Sequence, residues 1–83
     1  MDNLKEEFNN ATKLVEEKVD TYSDNQKLDL YKYYKQATVG DNNTTQPMFI
    51  NFKAKSKWNA WNSVKGISSE NAMKEYIKLS KSL

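Results

Sequence analysis

The sequence predicts an all-α fold of four helices, on three observations. Apolar residues recur at helical spacing in separate segments. Residues that start and stop helices stand between those segments, and no run shows the alternation of a half-buried strand. With 83 residues the chain is expected to form one small domain, 1–83, and to build its core without staples.

The first helix is predicted from about Asn3 to Glu17, where Leu4, Phe8, Ala11, Leu14 and Val15 fall on one face. Glu6 and Glu7 near its start suit the positive end of the helix dipole. The second opens at Ser23, whose hydroxyl can cap the helix while Gln26 reaches back to it. Its stop is Gly40, suited to the left-handed position beyond a C-terminus. Residues 41–50, DNNTTQPMFI, gather turn formers with the single proline and predict a long ordered loop. Asn51 is the expected cap of a third helix that carries Trp58 and Trp61 and runs to about Val64, before Gly66. Ser68 caps the fourth, with Ile67 stapled onto Ala72. Ala72, Met73, Tyr76 and Ile77 are its expected buried stripe.

Composition narrows the chemistry. There is no cysteine, which excludes disulfides, zinc-thiolate sites and a cysteine nucleophile. Histidine, the commonest general base and metal ligand, is also absent. No nucleophile motif such as G-x-S-x-G occurs, so a non-enzyme without metal or cofactor is expected. Every basic residue is lysine, whereas bidentate reading of guanine and tight phosphate clamping favour arginine. The net charge of +2 exerts little long-range pull on a polyanion, so no nucleic-acid partner is expected. The charge is uneven, however. Residues 1–26 hold three lysines against seven acids, and residues 27–83 hold ten lysines against four. A compact anion is favoured on the later part of the chain. The acidic start MDNLKEEF reads as neither a secretory signal nor a transit peptide, and no apolar run approaches a membrane span. A cytoplasmic location is the expectation.

The run YKYYKQATVGD, Tyr31 to Asp41, is the most informative stretch. Tyr31 and Tyr34 are three apart and Tyr31 and Lys35 four apart, so all three project from one helix face. An ammonium beside phenols and flat rings suits a ligand that joins a phosphate to a stackable base. The ordinary reading stays open beside it: Lys35 lays its methylenes over tyrosine rings and reaches water. Lys57 next to Trp58 admits the same reading. The tryptophan pair and Tyr76 also pass as core, while Lys32 and Lys53 are expected on solvated faces.

Further motifs extend along the chain: YKQATVGD (34–41), Pro47 after a polar turn, Phe52, KAKSKWNAW (53–61), Lys65-Gly66, Ser68 and NAMKEYI (71–77). With these, from Phe8 to Tyr76, the chain resembles the acyl-CoA-binding protein family, in order and without a gap. The resemblance implies a four-helix, up-down-down-up bundle that binds medium- to long-chain fatty acyl-CoA esters and transports them without reacting on them. It implies that Tyr34 stacks on adenine, that Lys35 and Lys57 hold the ribose 3′-phosphate, and that the Tyr31 hydroxyl donates to it. It places Tyr76 on the CoA head, and Phe8 with the Ala11–Thr12 region as a wall closing over the ligand. A monomer in transient contact with membranes or acyl-CoA-using enzymes is expected.

Several positions depart from the family pattern. Glu16 stands where a basic residue is common, Lys18 and Lys27 where apolar ones are, the latter near the acyl groove. Tyr22 replaces a frequent proline, and Met48 follows Pro47 where glycine is common. A shifted acyl preference is therefore expected. The rival reading is an interaction module that kept the fold and lost the ligand, with Tyr31, Tyr34 and Tyr76 serving only as core.

Overall fold

A computed structural model describes residues 3–48 and 50–83. Helix α1 spans Asn3–Lys18, α2 Asp24–Thr38, α3 Phe52–Asn62 and α4 Ser69–Ser82. A 3-10 turn, Val19–Thr21, tightens the end of α1. The predicted start signals act as proposed. The Ser23 hydroxyl accepts from the Gln26 N–H at 3.1 Å and the Gln26 side chain accepts from the Ser23 N–H at 2.8 Å, a closed capping box. Asn51 accepts from the Ala54 N–H, and Ser68 from the Asn71 N–H. Gly40 takes a φ of +98°, the left-handed value that made it the expected stop of α2.

The third helix ends two residues earlier than expected. The Ser63 N–H is shared between the Asn59 and Ala60 carbonyls, and Val64 and Lys65 bond three residues back to Trp61 and Asn62. The helix thus tightens into turns before it reaches Gly66.

Helix α4 packs against both α1 and α2, and α3 packs on α2. The core joins Phe8, Ala11 and Val15 of α1 to Leu30 and Ala37 of α2 and to Ala72, Tyr76 and Ile77 of α4. Ile67 and Met73 pack against this cluster, which includes Ala72. Tyr22 joins the core although it lies in the connection between α1 and α2. From α3, Trp61 is buried and Trp58 half-buried.

The long loop is pinned by polar contacts. Asp41 accepts from the Gly66 N–H and from the Gln36 side-chain amide, both at 2.8 Å. The same amide also donates to the Ile67 carbonyl. Buried Asn42 accepts from the Thr44 N–H at 3.0 Å. Trp61 donates to the Gly40 carbonyl at 2.8 Å and Trp58 to that of Thr44 at 3.1 Å. The end of α2, the loop, α3 and the α3–α4 turn are thereby held in one register.

Candidate functional site

Helix α2 carries the centre of the site, and the helices packed on it complete the walls. Tyr34 of α2 stacks on Phe8 of α1, centroids 5.9 Å apart and planes 19° apart. Phe8 meets Tyr76 of α4 edge to face at 5.1 Å, and Tyr34 lies 6.1 Å from Tyr76. Such separations suit aromatic pairs. The three rings differ in access. Phe8 and Tyr76 are buried, whereas Tyr34 remains 42% exposed. Tyr34 is therefore anchored on other rings yet keeps ring surface open to a ligand.

Below this triad lies a cavity of about 160 Å³ lined by Val15, Tyr22, Tyr31, Tyr34 and Tyr76, among others. Burial pushes the Tyr76 hydroxyl up to about 12, with Tyr34, Tyr22 and Glu16 adding to the shift. Glu16, exposed on α1, lines neither this cavity nor the groove between α2 and α3.

A larger groove, about 300 Å³, runs between α2 and α3. Leu28 and Asp24 line it from α2, and Phe52, Lys53, Ser56 and Lys57 from α3. Tyr31 and Lys27 line both spaces. The Lys57 ammonium stands 5.4 Å from the Tyr31 ring centroid, linking the two helices across the groove. This lies within the range of a cation–π contact.

The structure thus brings together Phe8, Tyr34 and Tyr76, and separately Tyr31 and Lys57. Lys35 and Thr12 line neither space. The Lys35 ammonium lies 4.8 Å from the centroid of a Trp61 ring, while the Thr12 hydroxyl donates to the Asn9 carbonyl at 2.7 Å. Lys32 is not on a fully solvated face: it is half-buried, pairs with Asp29 at 3.3 Å and covers Tyr33. Lys53 is exposed and lines the groove. Lys27 is exposed and lines both the groove and the aromatic cavity. Tyr22 was legible only as a departure from a pattern. Its aromatic ring just before a capping box is the signal that marks it as a core residue and wall.

A sequence profile described as acyl CoA binding protein matches residues 5–80. The chain belongs to the acyl-CoA-binding protein family. It is 47% identical over 74 residues to an acyl-CoA-binding protein homolog of Drosophila melanogaster, covering 89% of this chain and 86% of that protein. It is also 47% identical over 72 residues to the acyl-CoA-binding protein of Saccharomyces cerevisiae, covering 87% and 83%. The crystal structure of Oryza sativa acyl-CoA-binding protein 2 superposes with a TM-score of 0.92 at 45% identity, covering 96% of this chain and 89% of that one. The acyl-CoA-binding protein of Moniliophthora perniciosa gives 0.78 at 37% identity, covering 90% and 74%. The four-helix, all-α fold of this family is therefore the fold of this chain. Among the described residues, no helix is long and apolar enough to cross a membrane.

Proposed function

We propose that this member of the acyl-CoA-binding protein family binds medium- to long-chain fatty acyl-CoA esters and carries them, as a cytoplasmic monomer, without reacting on them. The observation that carries this reading is the half-open Tyr34 ring, backed by Phe8 and Tyr76 and continuous along α2 with the Tyr31–Lys57 contact. Adenine stacks on Tyr34, a contact of about 1–3 kcal/mol by analogy with bases on aromatic platforms. Lys57 and Lys35 take the 3′-phosphate, with the Tyr31 hydroxyl as a further donor. Each charge-assisted bond contributes about 1.5–3 kcal/mol. For Lys35 this requires only that its flexible stem swing the ammonium off Trp61. Tyr76 supports the head from α4, and Phe8 with Thr12 forms the wall on α1.

The tail lies in the α2–α3 groove against Leu28 and Phe52, and burial supplies about 0.8 kcal/mol for each methylene removed from water. A long chain therefore dominates the affinity, while the head selects CoA esters over free fatty acids. Lys27 places a positive charge at the site, and it shifts the acyl preference from that of a member with the usual residue. No residue of the site is asked to act as nucleophile, acid or base.

Calorimetric titration with palmitoyl-CoA, with free CoA and palmitate as controls, tests the reading. Tight one-to-one binding of the ester, with both halves much weaker, is the expected result. Absence of ester binding would leave the rings as core and transfer the site to an interaction module. Equal affinities across a ladder of chain lengths would contradict the shifted preference.

A further inference from the structure

The groove between α2 and α3 carries more charge than an alkyl chain can use. Leu28, Tyr31 and Phe52 give it apolar surface, yet Lys27, Lys53 and Lys57 share the same lining with Asp24 and Ser56. An alkyl tail draws on a lysine's methylene stem and leaves the ammonium to water. Of the three lysines, Lys57 stands over the Tyr31 ring and is the one read as a phosphate ligand. Lys27 and Lys53 are exposed, and no acid pairs with either: among the described residues the one side-chain ion pair is Lys32–Asp29, elsewhere on α2.

Asp24 is the single acid on the lining. It sits in the first turn of α2, where the positive end of the helix already favours a carboxylate. With Lys57 taken by a phosphate, two lysines remain against one acid, so the space stays cationic. The two come from opposite walls. Lys53 lies one turn before Lys57 on α3, and Lys27 on α2 also lines the aromatic cavity with Tyr31. A ligand suited to this lining needs a hydrocarbon stretch for Leu28 and Phe52 and an anion for the ammonium groups. A bare phosphate has no use for the apolar wall, and a plain alkyl chain has none for the cations.

We infer that the groove selects acyl-CoA esters whose acyl chain ends in a carboxylate, the CoA monoesters of long dicarboxylic acids, with Lys27 and Lys53 as the specificity-determining residues. The inference rests on the carrier reading, which puts the phosphate on Lys57 and the tail between α2 and α3. In a purely apolar groove a terminal carboxylate is a loss, because it cannot leave water unpaired. Here an ammonium from either wall removes that loss. Both ammonium groups stand in water and are screened by salt, so their attraction chooses between chains of one length. The methylenes still supply most of the affinity.

The test is calorimetric titration of the full chain with palmitoyl-CoA and with the CoA monoester of hexadecanedioic acid, which has the same chain length. At low salt the dicarboxylic monoester should bind about twofold to fivefold more tightly, and high salt should remove the advantage. Lys27→Met/Lys53→Met should reverse the order, so that the variant prefers palmitoyl-CoA, with unchanged helical circular dichroism. A general loss of structure would weaken both esters without reversing them. A wild type that favours palmitoyl-CoA at low salt would overturn the proposal. So would a double variant that keeps the wild-type ratio, including one in which both esters weaken equally, since that assigns the two lysines to the CoA phosphates. Binding of neither ester would end the carrier reading and this one together, whereas tight palmitoyl-CoA binding without preference would end this one alone.

Discussion

The Lys57 ammonium stands over the Tyr31 ring, 5.4 Å from its centroid, and so joins α3 to α2 at the point where the groove meets the aromatic cavity. A cation held on a ring is desolvated on one side only, which leaves its other donors free for a phosphate. Lys57→Gln should weaken palmitoyl-CoA binding by about 1.5–3 kcal/mol, roughly tenfold to a hundredfold. The diagnostic measurement is a cycle with the 3′-dephospho ester. If Lys57 holds that phosphate, the variant should no longer distinguish the two esters, and an undiminished preference would remove Lys57 from the phosphate.

Tyr34 separates stacking from packing. The residue is 42% exposed, so Tyr34→Ala should cost little stability beyond the contact with Phe8, about 0.5–1.5 kcal/mol for an aromatic pair. Affinity for palmitoyl-CoA should fall by about 1–3 kcal/mol. Urea denaturation and calorimetry on the same preparation decide. A stability loss with unchanged affinity would assign the ring to the core alone.

Acid should loosen the pin between α2 and the α3–α4 turn. Hydrogen bonds from the Gly66 N–H and then from Gln36, with Lys65 nearby, hold the Asp41 carboxyl below its ordinary value of 3.8. A depressed folded-state pKa contributes stability that is present above the unfolded value and lost as pH falls through the folded one. Wild-type stability should therefore decline below about pH 4 with an Asp41 component. Asp41→Asn should flatten that part of the profile in urea titrations from neutral to acid pH.

At the alkaline end the sign reverses. The Tyr76 hydroxyl is raised from 10.0 to about 12, chiefly by burial. The neutral phenol is thus favoured in the fold, a contribution fully present below pH 10 and lost as pH rises toward 12. Tyrosinate absorbance should show a late phase near pH 12, and Tyr76→Phe should remove it.

The core gives a further check independent of ligand. Ala72 has no exposed surface and sits where α4 meets α1 and α2. Ala72→Leu should destabilise by about 1–3 kcal/mol through overpacking, measured as a lower urea midpoint with an unchanged slope.

How much of this could be read from the sequence follows from how local each cause is. The caps at Ser23, Asn51 and Ser68 and the left-handed stop at Gly40 act within a few residues, and each appears where its residue type places it. The end of α3 was overestimated because apolar spacing continues to Val64 while the backbone has already tightened. The site depends on longer reach. A helix wheel joins Tyr31, Tyr34 and Lys35, but it cannot report that Trp61, 26 positions away, offers the ring on which Lys35 rests. Nor does any local pattern bring Phe8, Tyr34 and Tyr76 together, since the triad needs three helices packed correctly. The Gln36–Asp41–Gly66 link is similarly invisible in one segment, because half of its donors are backbone groups from the other end of the chain.

Because α3 is packed chiefly on α2 while α1, α2 and α4 share the buried core, the two sides of the groove do not have equal support. Amides of α3 should exchange with solvent sooner than those of α4 in the empty protein. The acyl tail proposed to lodge between α2 and α3 would then work as a brace, and its removal would let one wall breathe. On the proposed reading, the loaded and the empty protein would differ in stiffness before they differ in shape.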